Sequence, residues 1–135
     1  MDNSTEEEFM SRLIIFGVIV VTIFVACGSD SESPAVTMHY PHDGDTVWAT
    51  VYITAKALDN DTVQTVEFFI NDSLVGTDQI IFQDSFYQWM WITSSTGDTT
   101  YKSIHTIAYD ANENSTTSNT ITVYVDNAGH PPGDE

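Results

Sequence analysis

From Val47 to Val125 the apolar residues fall at every second position, in short stretches cut by clusters of Asn, Asp and Gly. A period of two belongs to a strand with one buried face, because successive side chains leave a pleated strand on opposite sides. Val47, Val51, Ile53, Ala55 and Ala57 share one face, as do Val66, Phe68 and Ile70 on a later stretch and Ile121, Val123 and Val125 on the last. No apolar stripe at helical spacing competes, so the chain is expected to be all-β. The predicted strands are Val36–Tyr40, Val47–Ala57, Val63–Ile70, Leu74–Thr77, Phe86–Ile92, Lys102–Tyr109 and Asn119–Val125, seven in all. Asp59-Asn60-Asp61, Asn71-Asp72 and Ala111-Asn112-Glu113-Asn114 supply turns between them.

A second pattern lies ahead of the alternation. An uncharged apolar run from Leu13 to Ala26 ends at Cys27, the one cysteine, and is followed by the polar stretch Gly28-Ser29-Asp30-Ser31-Glu32-Ser33. The run has the length of a signal-peptide core and falls short of the roughly 20 residues that span a bilayer. Phe24-Val25-Ala26-Cys27 resembles the lipobox of bacterial lipoproteins, in which a small residue precedes the cysteine that is lipidated and becomes the mature N-terminus. Phe24 stands where that motif usually has leucine. The resemblance implies a cleaved signal helix over 1–26 and membrane attachment through lipid on Cys27. Asp2 and Glu6-Glu7-Glu8 sit where a signal peptide carries positive charge, whereas a start at Met10 would place Arg12 directly before the apolar core. Two or more acyl chains at Cys27 would suffice for stable anchoring, at about 0.8 kcal/mol per buried CH₂.

Charge narrows the partners. The chain carries 20 acidic and 3 basic residues, and without Asp2, Glu6, Glu7, Glu8 and Arg12 the remainder holds 16 against 2, near −14. Nucleic acid and anionic lipid both require Lys and Arg, so neither is an expected partner of the domain. With Cys27 consumed by lipid no disulfide can form, and the fold must rest on its hydrophobic core. Four zones follow: a signal peptide at 1–26, the lipidated cysteine and a flexible tether at 27–35, one domain at 36–126, and a polar Pro/Gly tail or linker at 127–135.

Several separated blocks resemble bacterial Ig-like domains over about residues 36–126. They are Pro41-His42-Asp43-Gly44-Asp45-Thr46-Val47, Ala57 to Val63, Val66 to Asp72 with Leu74-Val75-Gly76-Thr77, the aromatic stretch ending at Trp91, Ile107 to Asn114, and Ser118 to Val123. Asn71-Asp72 stands where the family usually has Asp-Gly, and Glu113 where it has glycine. The resemblance implies a seven-stranded antiparallel Ig-like or fibronectin-III-like β-sandwich acting as a scaffold or recognition module, with no enzymatic activity. As a lipoprotein, it would be an adhesion or interaction module in a bacterial envelope, at the outer membrane or cell surface. The alternatives are a structural spacer or first unit of a tandem array, and a carbohydrate-binding accessory module.

The residues offer little to catalysis. His39, His42, His105 and His130 are scattered, and Ser103 and His105 merely share one strand face. Calcium has more support: in the strand order of such a sandwich, the turns carrying Asp59, Asn60, Asp61 and Asp110, Asn112, Asn114 emerge at one end, where oxygen ligands from two loops could converge. Asp43, Asp45, Asp98 and Asp126 would gather at the other end. Asp and Asn are also the ordinary residues of β-turns. In Phe86-Tyr87-Gln88-Trp89-Met90-Trp91-Ile92 the family match sends Tyr87, Trp89 and Trp91 to the core. Trp48, Tyr52, Phe69, Phe86 and Met90 are then expected to face outward, as a patch for a protein or glycan partner unless the loop from Asp78 to Asp84 covers it.

Overall fold

The alternating stretches form two packed sheets in the computed structural model, which describes residues 29–81, 83–93 and 99–128. The expected signal segment, Met10, Cys27, Asp98, His130 and the residues from 129 lie outside the described residues. The chain divides into two units, Met1–Asp30 and Ser31–Glu135, and the sandwich belongs to the second. Its strands are β1 (Ala35–Tyr40), β2 (Thr46–Val47), β3 (Thr50–Leu58), β4 (Val63–Ile70), β5 (Ser73–Asp78), β6 (Phe86–Ile92), β7 (Thr100–Asp110), β8 (Ser115–Thr117) and β9 (Ile121–Val125). One sheet has the order β1-β3-β6 and the other β2-β9-β7-β4-β5, with β8 added beside β7. All pairings are antiparallel except that of β2 with β9.

Nine strands among the described residues replace the seven expected, one through a break in a predicted run and one through a ladder. The run Val47–Ala57 is broken at Trp48-Ala49, where Ala49 takes φ 55° and the chain crosses from one sheet to the other. Thr46 and Val47 therefore pair with Tyr124 and Val125, while Thr50 onward pairs with β6. Ser115–Thr117 carries no apolar alternation and becomes a strand through its ladder to Tyr109, Ala108 and Ile107. The last strand begins at Ile121, later than the alternation suggests.

The predicted inward residues form the core. Val51, Ile53, Ala55 and Ala57 from β3 meet Val66, Phe68 and Ile70 from β4, Ile104 and Ala108 from β7, and Ile121, Val123 and Val125 from β9. Each buried Val, Ile or Phe side chain stabilises the fold by roughly 1.5–3 kcal/mol, which is how a sandwich without disulfides is held. Tyr87 and Trp91 are buried, and Tyr87 Oη donates to the Val63 carbonyl at 3.3 Å. Trp89 is only partly buried and lies over Gly76 of β5. It thereby joins the edge strand of one sheet to the edge strand of the other. Beside it the Gln88 amide donates to Asp78 Oδ2 at 2.9 Å.

The hairpin turn between β4 and β5 is closed by Asn71 and Asp72 at φ 49° and 62°, between the paired residues Ile70 and Ser73. Two successive positive φ values make this the tight turn whose twist matches the strands, and Asn and Asp are the non-glycine residues that tolerate it best. Glu113, at φ 67°, occupies a left-handed position in the turn from β7 to β8, where glycine would carry no Cβ penalty.

Candidate functional site

Two places gather the residues singled out from the sequence: the loop end holding Asp59 and Asp110, and the outer face of the β1-β3-β6 sheet.

Asp110 ends β7 opposite Val63, the first residue of β4, so the β3–β4 loop and the β7–β8 turn emerge side by side. A carboxylate oxygen of Asp59 lies within 4.8 Å of one of Asp110. Asp110 is buried and organises its own turn. Its Oδ1 accepts the Asn112 and Asn114 amides, each at 2.8 Å, and its Oδ2 accepts Asn114 Nδ2 at 2.7 Å. Burial pushes its carboxyl up, but the bonds from the Asn114 side chain and from the Asn114 and Asn112 amides outweigh this and hold it below its ordinary value. Asp59 Oδ2 accepts the Asp61 amide at 3.2 Å, whereas its Oδ1 is buried without a hydrogen-bond partner. Asn60, Asp61 and Asn112 are exposed. Of the expected calcium ligands, the structure thus brings the Asp59 and Asp110 carboxylates together, and Asn112 and Asn114 meet Asp110 as hydrogen-bond donors. At the other end, Asp43 Oδ1 accepts the Thr122 amide, Asp45 Oδ2 the His42 amide and Asp126 Oδ1 the Ala128 amide, at 2.7, 2.8 and 3.2 Å.

On the three-stranded sheet Tyr52 is paired with Met90, Thr50 with Ile92 and Lys56 with Phe86. Tyr52, Met90 and Ile92 are each about half exposed. Phe86 is more covered: its ring lies 4.7 Å from that of His39, Lys56 Nζ stands 5.8 Å from its centroid, and Gln83 and Asp84 of the loop line the same hollow. The loop shields this end and leaves Tyr52, Met90 and Ile92 open, while displaying Ile80 and Ile81 to solvent. Phe69 does not belong to the patch. It lies on β4, in the other sheet, stacked on His105 at 4.9 Å and 4°. Alternation states which residues share a strand face but not which sheet a strand joins, so by itself it cannot separate Phe69 from the others.

Trp48 occupies the corner between β2 and β3, and this corner is fixed by a residue that no local pattern marks. Asn127, just past β9, accepts the Ala49 amide on Oδ1 at 3.3 Å and donates through Nδ2 to the Thr93 carbonyl at 2.9 Å. The Thr93 amide and hydroxyl both donate to the Ala49 carbonyl, at 2.8 and 3.0 Å. Tyr40, Trp48 and Tyr52 line an open cleft of about 430 Å³ at this corner.

The Ser103–His105 pair does not form a catalytic couple. Ser103 Oγ faces Asn71 Oδ1 at 3.4 Å, while His105 stacks on Phe69 with its Nδ1 3.9 Å from Asp72. Among the described residues no helix is long and apolar enough to cross a membrane.

The family model described as bacterial Ig domain matches residues 34–123. No curated protein sequence matches the chain. Among solved structures, the CbhA fibronectin(III)-like modules of Clostridium thermocellum superpose with a TM-score of 0.58 at 19% identity, covering 67% of this chain and 94% of theirs. The endo-beta-1,4-mannanase from Thermotoga petrophila superposes with a TM-score of 0.56 at 14% identity, covering 74% of this chain and 21% of the enzyme. At these identities the likeness is one of fold. The sandwich corresponds to about a fifth of the mannanase.

Proposed function

The chain belongs to the bacterial Ig domain family, and from that premise we propose that it is a cell-envelope lipoprotein, held in the membrane by lipid on Cys27, whose sandwich serves as an adhesion or interaction module. The supporting observation is the outer face of the β1-β3-β6 sheet, where Tyr52, Met90 and Ile92 stay about half exposed on paired strands. Side chains of this kind on adjoining strands form a contiguous apolar surface, the type of patch by which soluble domains meet partners. In this reading residues 1–26 are removed, 27–35 tether the domain, 36–126 form it, and 127–135 are a tail or a linker to a further domain. A photoreactive side chain placed at Met90 of the full chain in living cells should give a discrete adduct, and one at Asn112 should not. No adduct at Met90 would refute the interaction face.

A second reading concerns Ca²⁺ at the loop end. It is supported by the approach of the Asp59 and Asp110 carboxylates together with the unpartnered, buried Asp59 Oδ1. An oxygen that is out of water and without a donor is poorly placed unless a cation completes it. Saturating Ca²⁺ at 100 times its Kd would add about 2.7 kcal/mol, a rise of roughly 10–20 °C in the thermal midpoint for a domain of this size. An equal rise with Mg²⁺ would return the effect to charge screening.

A further inference from the structure

We infer that the cleft at the β2–β3 corner binds a neutral glycan, with Trp48 as the stacking platform and Tyr40 and Tyr52 flanking it. The inference rests on the interaction module proposed above and names the ligand class of one part of its surface.

Charge is the first argument. The chain carries a formal −17, yet no charged side chain lines this cleft; its lining consists of the three aromatics, Thr46, Thr50 and small apolar residues. An anionic ligand would meet the repulsion of the whole protein, and a cationic one would find no carboxylate in the cleft to pair with. A neutral ligand suffers neither penalty. Shape and chemistry narrow it further. The volume of about 430 Å³ falls within the roughly 300–1,000 Å³ of small-ligand sites. Tyr40, Trp48 and Tyr52 are 43%, 40% and 50% exposed as residues, so the cleft combines accessible aromatic side chains with the Tyr40 and Tyr52 hydroxyls. A sugar ring has the complementary form, with C–H bonds on its faces and hydroxyls around its rim. An aliphatic or purely aromatic ligand offers the Tyr40 and Tyr52 hydroxyls no polar rim to meet.

Rigidity is the second argument. Trp48 is carried by a corner whose next residue, Ala49, holds φ 55° and is bonded through both its amide and its carbonyl to Asn127 and Thr93. An alanine held in the left-handed region is locally unfavourable and persists where surrounding bonds over-determine it, an arrangement typical of a site whose side chain must be aimed in advance. A platform fixed beforehand loses little conformational entropy when a ring stacks on it.

Particles of cellulose, mannan and xylan, with polygalacturonate as the anionic control, provide the test. Depletion of the detergent-solubilised full chain is measured as an isotherm on each. The expected result is retention on at least one neutral polysaccharide and not on polygalacturonate. Trp48→Ala should weaken retention about tenfold, as loss of an aromatic anchor does, and Leu74→Ala, exposed on β5 of the other sheet, should leave it unchanged. Thermal midpoints verify that each variant folds, and Tyr40→Ala takes the place of Trp48→Ala if the latter does not. No retention on any neutral polysaccharide, unchanged retention by the folded Trp48 variant, or equal loss by Leu74→Ala would each overturn the inference. A photo-adduct at Met90 without polysaccharide retention would remove the glycan and keep the interaction face. Retention lost with Trp48 in the absence of that adduct would do the reverse.

Discussion

Gly76→Ala is the substitution whose effect follows most directly from the geometry. A Cβ built on Gly76 would fall on the Trp89 indole, overlapping Cδ2, Cε2 and Cε3. These atoms lie at and beside the ring fusion, so the clash cannot be relieved by turning a flexible side-chain end. Moving the indole would disturb its packing against the core and the contact it makes between the two edge strands. Gly76 does not have a positive φ, so alanine carries no backbone penalty there. On propensity alone alanine would gain roughly 0.5–1 kcal/mol over glycine in a strand. Overpacking costs about 1–3 kcal/mol and exceeds that gain. The net expectation is a loss of about 0.5–2 kcal/mol, or roughly 2–16 °C in Tm for a domain of this size. Thermal unfolding followed by circular dichroism measures it, and the double variant Gly76→Ala, Trp89→Ala isolates the cause. The alanine should be neutral or favourable once the indole is gone. Equal cost of Gly76→Ala in both backgrounds, or no cost in the wild type, would refute the argument.

Three further outcomes are expected. Asn127→Ala removes the bonds to Ala49 and Thr93 that pin the Trp48 corner and should cost about 1–3 kcal/mol in denaturant unfolding. Thr106→Val should stabilise by about 1 kcal/mol, read as a higher urea midpoint, because the Thr106 Oγ1 is fully buried without a partner and valine fills the same space. Asp110 is held below its ordinary pKa in the folded chain, so its contribution is complete above its unfolded value and is lost as pH falls through the folded one. Urea midpoints taken from about pH 7 to about pH 2 should therefore fall at the acid end, and Asp110→Asn should reduce that fall.

The faces of the strands were legible because alternation is a physical consequence of burying one side of a sheet. Val51, Ile53, Ala55 and Ala57 on β3, and Ile121, Val123 and Val125 on β9, needed no other information. What remained hidden was long-range. Nothing about Trp48-Ala49 marks a change of sheet, since alanine has no preference for positive φ; the corner is imposed by Asn127 and Thr93, which lie 78 and 44 residues away. β8 has no apolar pattern of its own and exists through its ladder with β7. The placement of Phe69 depended on which sheet β4 joins, a property of topology. At the loop end, the turn chemistry of Asp110 with Asn112 and Asn114 was legible from residue type, and its approach to Asp59 follows from the pairing of Val63 with Asp110. The Gly76 contact did have a sequence trace, because a lone glycine within a strand often marks a close approach.

The proposed anchor of the sandwich is lipid on Cys27. Mass spectrometry of the N-terminal peptide of the protein recovered from bacterial membranes tests it most directly. The expected chain begins at Cys27 and carries a diacylglyceryl thioether on Sγ. A free Cys27 thiol still joined to Ala26 would contradict it.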